Sequence, residues 1–149
     1  MKESDNNFDG GFYNAITFQK ISRYFYLRKM KIIARLFNFL THFLFSSTIP
    51  SSVEIGEGTY CSHRGIAVVI HKNSKIGKNC IIGTSVVLGG RHSENPGGPV
   101  IGDNVYIGTG AKILGPIKIG DNSNIGANSV VLKDVPANST VVGIPGKVI

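Results

Sequence analysis

The sequence predicts an all-β solenoid of stacked parallel strands, closed at its N-terminal end by helices, and three observations predict it. An aliphatic residue recurs every six positions over about two-thirds of the chain. Glycine directly follows most of these residues, and the position four after each is small or of modest size.

The aliphatic frame runs Ile49, Ile55 and Cys61, then Ile70, Ile76, Ile82 and Leu88, then Ile101, Ile107, Ile113, Ile119, Ile125 and Val131. Gly56, Gly77, Gly83, Gly89, Gly102, Gly108, Gly120 and Gly126 follow members of that frame. Val53, Thr59, Ser74, Cys80, Val86, Val105, Ala111, Ile117, Ser123 and Ser129 fill the fourth position. A period of six belongs neither to an amphipathic helix nor to a simple two-residue alternation. It fits short strands joined by sharp corners: the aliphatic side chain points inward, glycine accepts the corner conformation, and the small residue fits a narrow interior. Successive turns of such a coil pair as parallel strands, an aliphatic ladder fills the centre, and the open ends need caps.

Composition agrees with this. The 149 residues suffice for one cored domain with an appendage, and 19 glycines with only 17% charged residues suit frequent tight turns better than a helical bundle. A net charge of +7 draws anions, which could be nucleic acid, an acidic membrane or a phosphorylated cofactor. Nucleic acid is disfavoured, because no basic stripe is interleaved with exposed aromatics outside the N-terminal segment. Cys61 and Cys80 are the only cysteines, and both fall at interior positions of the repeat, so they read as small buried hydrophobes. No secretory signal pattern opens the chain, and a reducing cytoplasm is the expected compartment.

Three segments follow. Residues 1–11 are polar and read as a disordered or mobile N-terminus. Residues 12–48 contain no proline or glycine, are rich in Phe, Tyr, Ile and Leu, and carry Lys20, Arg23, Arg28, Lys29, Lys31 and Arg35. They read as one or two amphipathic helices capping the first coil, with peripheral membrane contact through the basic face as the sharper alternative. Arg35 and His42 interrupt the apolar run, which falls short of the ~20 residues a spanning helix requires. Residues 49–149 form the solenoid.

Regular repeats build scaffold, so their interruptions mark the places to look for chemistry. Three extra residues separate Cys61 from Ile70 in CSHRGIAVVIH, and an irregular loop, GGRHSENPGGPV, separates Leu88 from Ile101. His63, His71 and His92 all sit in or beside these two breaks. Acyl transfer to a hydroxyl needs a base that takes the hydroxyl proton during attack, and imidazole titrates near neutrality. Backbone N–H groups at glycine-rich corners could then stabilise the oxyanion.

The strings IPSSVEIGEGTYCSHRGI, IGKNCIIGTSVVLGG, VIGDNVYIGTGAKILG, IGANSVVLKDVP and VVGIPGKVI resemble the hexapeptide-repeat acyltransferases. Among these they are most similar to the serine acetyltransferases and their short relatives in polysaccharide biosynthesis. The resemblance implies a left-handed parallel β-helix of triangular cross-section with three hexads per coil, where the general crossover rule would give the right hand. It implies acetyl-CoA as co-substrate, no metal, a serine or sugar hydroxyl as acceptor, and a homotrimer with active sites between subunits. By resemblance His63 takes the place of the catalytic histidine. His71, in the VVIH string of the short relatives, is the second candidate, and His92 loosely matches a histidine after the Leu-Gly-Gly corner. The aspartate that orients the base in the family falls at Thr48, so this chain departs from the pattern there. The acetyl-CoA arm would run past Gly89, Gly90, Thr109, Gly110, Ala127 and Asn128, with Lys133 and Lys147 near the nucleotide phosphates.

Two other classes compete. A zinc carbonic anhydrase shares the fold and three histidines are present, but their spacing lacks that family's close histidine pair. A catalytically inactive scaffold would account for the missing aspartate and the basic helices.

Overall fold

The computed structural model describes residues 12–91 and 96–149, so the segment 1–11 and His92 lie outside the described residues. From Glu54 the chain winds as a parallel solenoid with three faces. Face one stacks Glu54–Ile55, Lys75–Ile76, Val100–Ile101 and Lys118–Ile119. Face two stacks Tyr60–Cys61, Ile81–Ile82, Tyr106–Ile107, Asn124–Ile125 and Thr140–Val142, and Lys147–Val148 closes it as an antiparallel strand. Face three stacks Val69–Ile70, Val87–Gly89, Lys112–Leu114 and Val130–Val131. From Glu54 to Val131 the parallel pairs align frame residue with frame residue, as in Ile82 with Ile107 and Ile107 with Ile125, and Ile125 then pairs with Val141.

The core is therefore a set of vertical ladders. Ile82, Leu88, Ile107, Ile113 and Ile125 are completely buried, and each contributes about 1.5–3 kcal/mol by leaving water. All ten fourth-position residues named above are buried too, which is why none is larger than isoleucine.

The frame glycines have a different cause from the one the sequence suggests. Gly56, Gly83 and Gly108 do not occupy the left-handed region, which at these corners holds Asn79, Ser85, Asn104, Asn122, Asn128 and Asn138 instead. Glycine is required because the next coil runs against it: a Cβ on Gly83 would lie 2.5 Å from the backbone nitrogen of Thr109. Asparagine tolerates the left-handed conformation, so the two residue types divide the corner between close approach and turning.

Two helices close the N-terminal end, α1 (Ala15–Leu27) and α2 (Lys31–Phe45). Their polar groups satisfy the edge of the first coil. Gln19 Nε2 donates to the carbonyls of Pro50 and Val53, Asn14 Nδ2 donates to Cys61 O at 2.7 Å, and Arg23 Nη1 donates to Ser51 O and Ser52 O. Phe18 packs edge-on against Phe45, 5.5 Å between ring centres, in one buried cluster with Ile49 and Val53. Thr48 then bridges Val69 in parallel, so face three begins directly at the end of the cap.

Candidate active site

The three faces meet at three corners, and the sequence-predicted residues divide between two of them. The corner between faces two and three holds His63, Thr109, Gly110, Ala127 and Asn128. The corner between faces three and one holds His71, Gly90 and Lys133, with Gly89 ending the face-three strand that leads into it. Strands of face three run between the two groups, so one chain does not bring the groups together.

At the two–three corner the coils are locked in register by backbone bonds: Ser85 N donates to Ile66 O, Gly110 N to Thr84 O at 2.8 Å, and Asn128 N to Thr109 O at 2.9 Å. Thr84 therefore stands in the same stack, between His63 and Thr109, and was missed in the sequence reading. The signal was there, because IIGTS and YIGTG occupy equivalent positions of the repeat. The side chains of this stack are small, and they run from the first coil to the fourth, about 14 Å at the usual strand spacing. Gly110, with φ of 73°, is tight for another reason: a Cβ there would run into the Asn128 side-chain amide.

His63 crowns this stack in an unusual backbone. The three extra residues of the first break are wound into a left-handed turn, with φ of 48° at His63, 66° at Arg64, 81° at Gly65 and 57° at Ala67. Non-glycine residues held there cost about 1–3 kcal/mol each and persist only where surrounding structure over-determines them. Here that structure is visible. Gly65 is buried, and a Cβ on it would sit 2.8 Å from Cys61 Cβ and 2.9 Å from Ala15 Cβ. Ser47 Oγ donates to Gly65 O and accepts from Val68 N at 2.8 Å, clamping the turn from the cap side. His63 itself is exposed at the crest.

His71 is held differently. It is half-buried, its Nδ1 accepts from Asn73 N at 3.2 Å, and its ring packs toward Gly90 and Gly98. An Nδ1 that accepts a backbone N–H carries no proton of its own, so neutral His71 has its proton on Nε2 and presents a donor outward. Further along this corner, Arg91 Nη1 reaches Leu132 O at 3.3 Å, tying the second coil to the fourth. Below it a cavity of about 550 Å³ is lined by Leu132, Lys133, Val141, Pro145 and Lys147 among others, so both sequence-predicted lysines line one space.

Thr48, where the resemblance implies an aspartate, is engaged through its backbone: its N–H donates to Val68 O and its carbonyl accepts from Ile70 N. Asp103, Asp121 and Asp134 are likewise structural, each accepting a backbone N–H of another coil through Oδ1. Among the described residues no three His, Cys, Asp or Glu side chains are grouped as a metal would require.

Both cysteines are free thiols and completely buried. Burial pushes the Cys61 thiol up from 9.0 to about 12, and burial raises Cys80 as well, so neither is a nucleophile at neutral pH. A folded pKa above the unfolded one means the contribution of Cys61 to stability is complete below about pH 9 and is lost as pH climbs toward 12. Melting temperatures recorded from about pH 8 to about pH 11 should fall for the wild type and fall less steeply for Cys61→Ala.

Two repeat families match this chain. Residues 98–133 match the bacterial transferase hexapeptide (six repeats), and residues 67–91 match the hexapeptide repeat of succinyl-transferase. The chain is 39% identical over 138 residues to a serine acetyltransferase of Synechococcus elongatus, covering 92% of this chain and 56% of that protein. It superposes with a TM-score of 0.82 and 38% identity on a serine acetyltransferase of Neisseria gonorrhoeae solved with serine, across 89% of this chain and 54% of that one. It does so with a TM-score of 0.82 and 34% identity on a serine acetyltransferase in complex with CoA, across 91% of this chain and 55% of that one. The chain thus spans a little over half the length of these proteins. The chain is thus a hexapeptide-repeat β-helix whose repeats match the bacterial transferase type, and over nine-tenths of its length it is similar to serine acetyltransferases.

Proposed function

We propose that this chain is an acetyl-CoA-dependent O-acetyltransferase that acts on serine, with His63 as the general base and a homotrimer as the working unit. The observation that carries the proposal is the stack of small residues descending from His63 along one corner. Thr84, Thr109, Gly110, Ala127 and Asn128 leave room for a linear thioester arm to lie close to the backbone. In the trimer the lysine-lined cavity on the other corner of a neighbouring copy, beside its fourth coil, offers Lys133 and Lys147 to the phosphates at the arm's far end. Support for both substrates comes from the similar structures solved with CoA and with serine.

His63, on its exposed crest, takes the proton of the acceptor hydroxyl as the oxygen attacks the thioester carbonyl. Backbone N–H groups of the glycine-rich corners face the developing oxyanion. When the carbon–sulfur bond breaks, the imidazolium returns the proton to the departing thiolate, leaving an O-acetyl ester and free CoA thiol.

His71 and Gly90 lie on the other corner, which in a threefold assembly meets the His63 corner of a neighbouring copy. In this reading His71 Nε2 acts as a donor across the seam. We place the reaction in the cytoplasm, in keeping with two free thiols.

Thiol release from acetyl-CoA, measured with L-serine, with nucleotide sugars and with no acceptor, tests the reading. Serine-dependent release is expected. Release with a sugar alone would move the acceptor to the polysaccharide class, and no release with any hydroxyl compound would leave a scaffold.

A further inference from the structure

The side of α2 turned away from the solenoid is apolar. Ile32, Leu36, Phe39 and Phe43 follow one another at steps of four, three and four residues, which sets them in one stripe along the helix. They are 83%, 54%, 60% and 72% exposed, and the rings of Phe39 and Phe43 stack 6.0 Å apart. Ala34, Thr41 and Phe45, on the opposite side, are buried. The inward face thus already does the work of the cap, and folding gives no reason for a second apolar face. Leu27 and Met30 are also exposed, at the turn between the helices.

The charge around the stripe decides what covers it. Residues 12–53 include six Lys and Arg and no Asp or Glu. Arg23 is turned inward, donating to Ser51 O and Ser52 O and 3.8 Å from Glu54. Arg28, Lys29, Lys31 and Arg35 are exposed at the turn and along one flank of the stripe. Two copies meeting through this face would bring cation against cation. A bilayer bearing anionic lipid presents opposite charge and an apolar layer to the same face at once. No helix among the described residues is long and apolar enough to cross a membrane, which suits a helix lying in the interface.

We propose that α2 docks the protein on an anionic phospholipid surface. Ile32, Leu36, Phe39 and Phe43 enter the headgroup boundary, and Arg28, Lys29, Lys31 and Arg35 meet the lipid phosphates. The test is co-sedimentation of the full chain with phosphatidylcholine vesicles, with and without about one-third phosphatidylglycerol. Binding is expected to the anionic vesicles at low salt, falling as salt screens the surface. Phe39→Ser/Phe43→Ser should weaken it at least about tenfold. Lys29→Glu/Lys31→Glu should remove the preference for anionic vesicles, and both pairs should keep the wild-type circular dichroism and melting because all four positions are exposed. Should the phenylalanine pair misfold, Ile32→Ser/Leu36→Ser carries the same expectation. The proposal is overturned if the wild type ignores anionic vesicles at low salt, or if the serine variants bind them equally well. It is also overturned if, without lipid, the wild type sediments as a larger particle than the Phe39→Ser/Phe43→Ser variant, which would mean that a second copy covers the stripe.

Discussion

Replacing His63 with alanine is expected to lower kcat for acetyl transfer by about 10²–10⁴-fold, the usual worth of a positioned general base, with the fold intact. The expectation rests on position. His63 is the exposed residue at the top of the small-residue corner, held in a left-handed turn that Gly65 and the Ser47 clamp enforce. His71→Ala should cost less, within about tenfold, since a ring whose Nδ1 accepts from Asn73 N presents a donor. Initial rates of thiol release for the two variants, with the KM for acetyl-CoA measured alongside, distinguish them. The reverse order of effects would transfer the base to His71.

The second large effect concerns stability. Ile107 sits in the middle of the face-two ladder, between Ile82 and Ile125, and is completely buried. Ile107→Ala is expected to destabilise the fold by about 2–5 kcal/mol, towards the upper end because the parallel ladder holds the coils apart and prevents the cavity from collapsing. Ile144→Ala, at an exposed position near the C-terminus, should stay within about 0.5 kcal/mol. Urea unfolding read as a shift in midpoint at constant slope compares the two.

Much of this architecture can be read from residue spacing, because a period of six translates directly into which side chain points inward. Every frame position from Ile49 to Val131 is buried except the half-buried Ile55. The role of the glycines could not be read so simply. A sequence shows that Gly83 lacks a side chain, but the reason is the backbone of Thr109 in the next coil, a contact between residues far apart in the chain.

The site was legible as two places and illegible as an arrangement. The breaks in the repeat do hold His63 and His71. Counting by six, however, says only whether a residue points in or out. Naming its corner requires counting by whole coils across both insertions, so residues of two corners read as one groove. Thr84 was passed over for the same reason. In the helices, periodicity announced an amphipathic segment without showing that α2 has apolar residues on both sides.

Because the two corners lie at opposite ends of face three, the account's central claim is that each active site joins the His63 corner of one copy to the His71 corner of the next. Mixing two inactive variants tests this most directly. His63→Ala removes the base from one corner. Gly90→Trp, at an exposed glycine with room for a Cβ, fills the other. Each alone should show little thiol release. Unfolded together and co-refolded, they should recover about a quarter of wild-type activity, the share of randomly assembled seams that join two intact corners. No recovery, with mixed assemblies demonstrated by mass, would put the whole site within one chain and contradict the account.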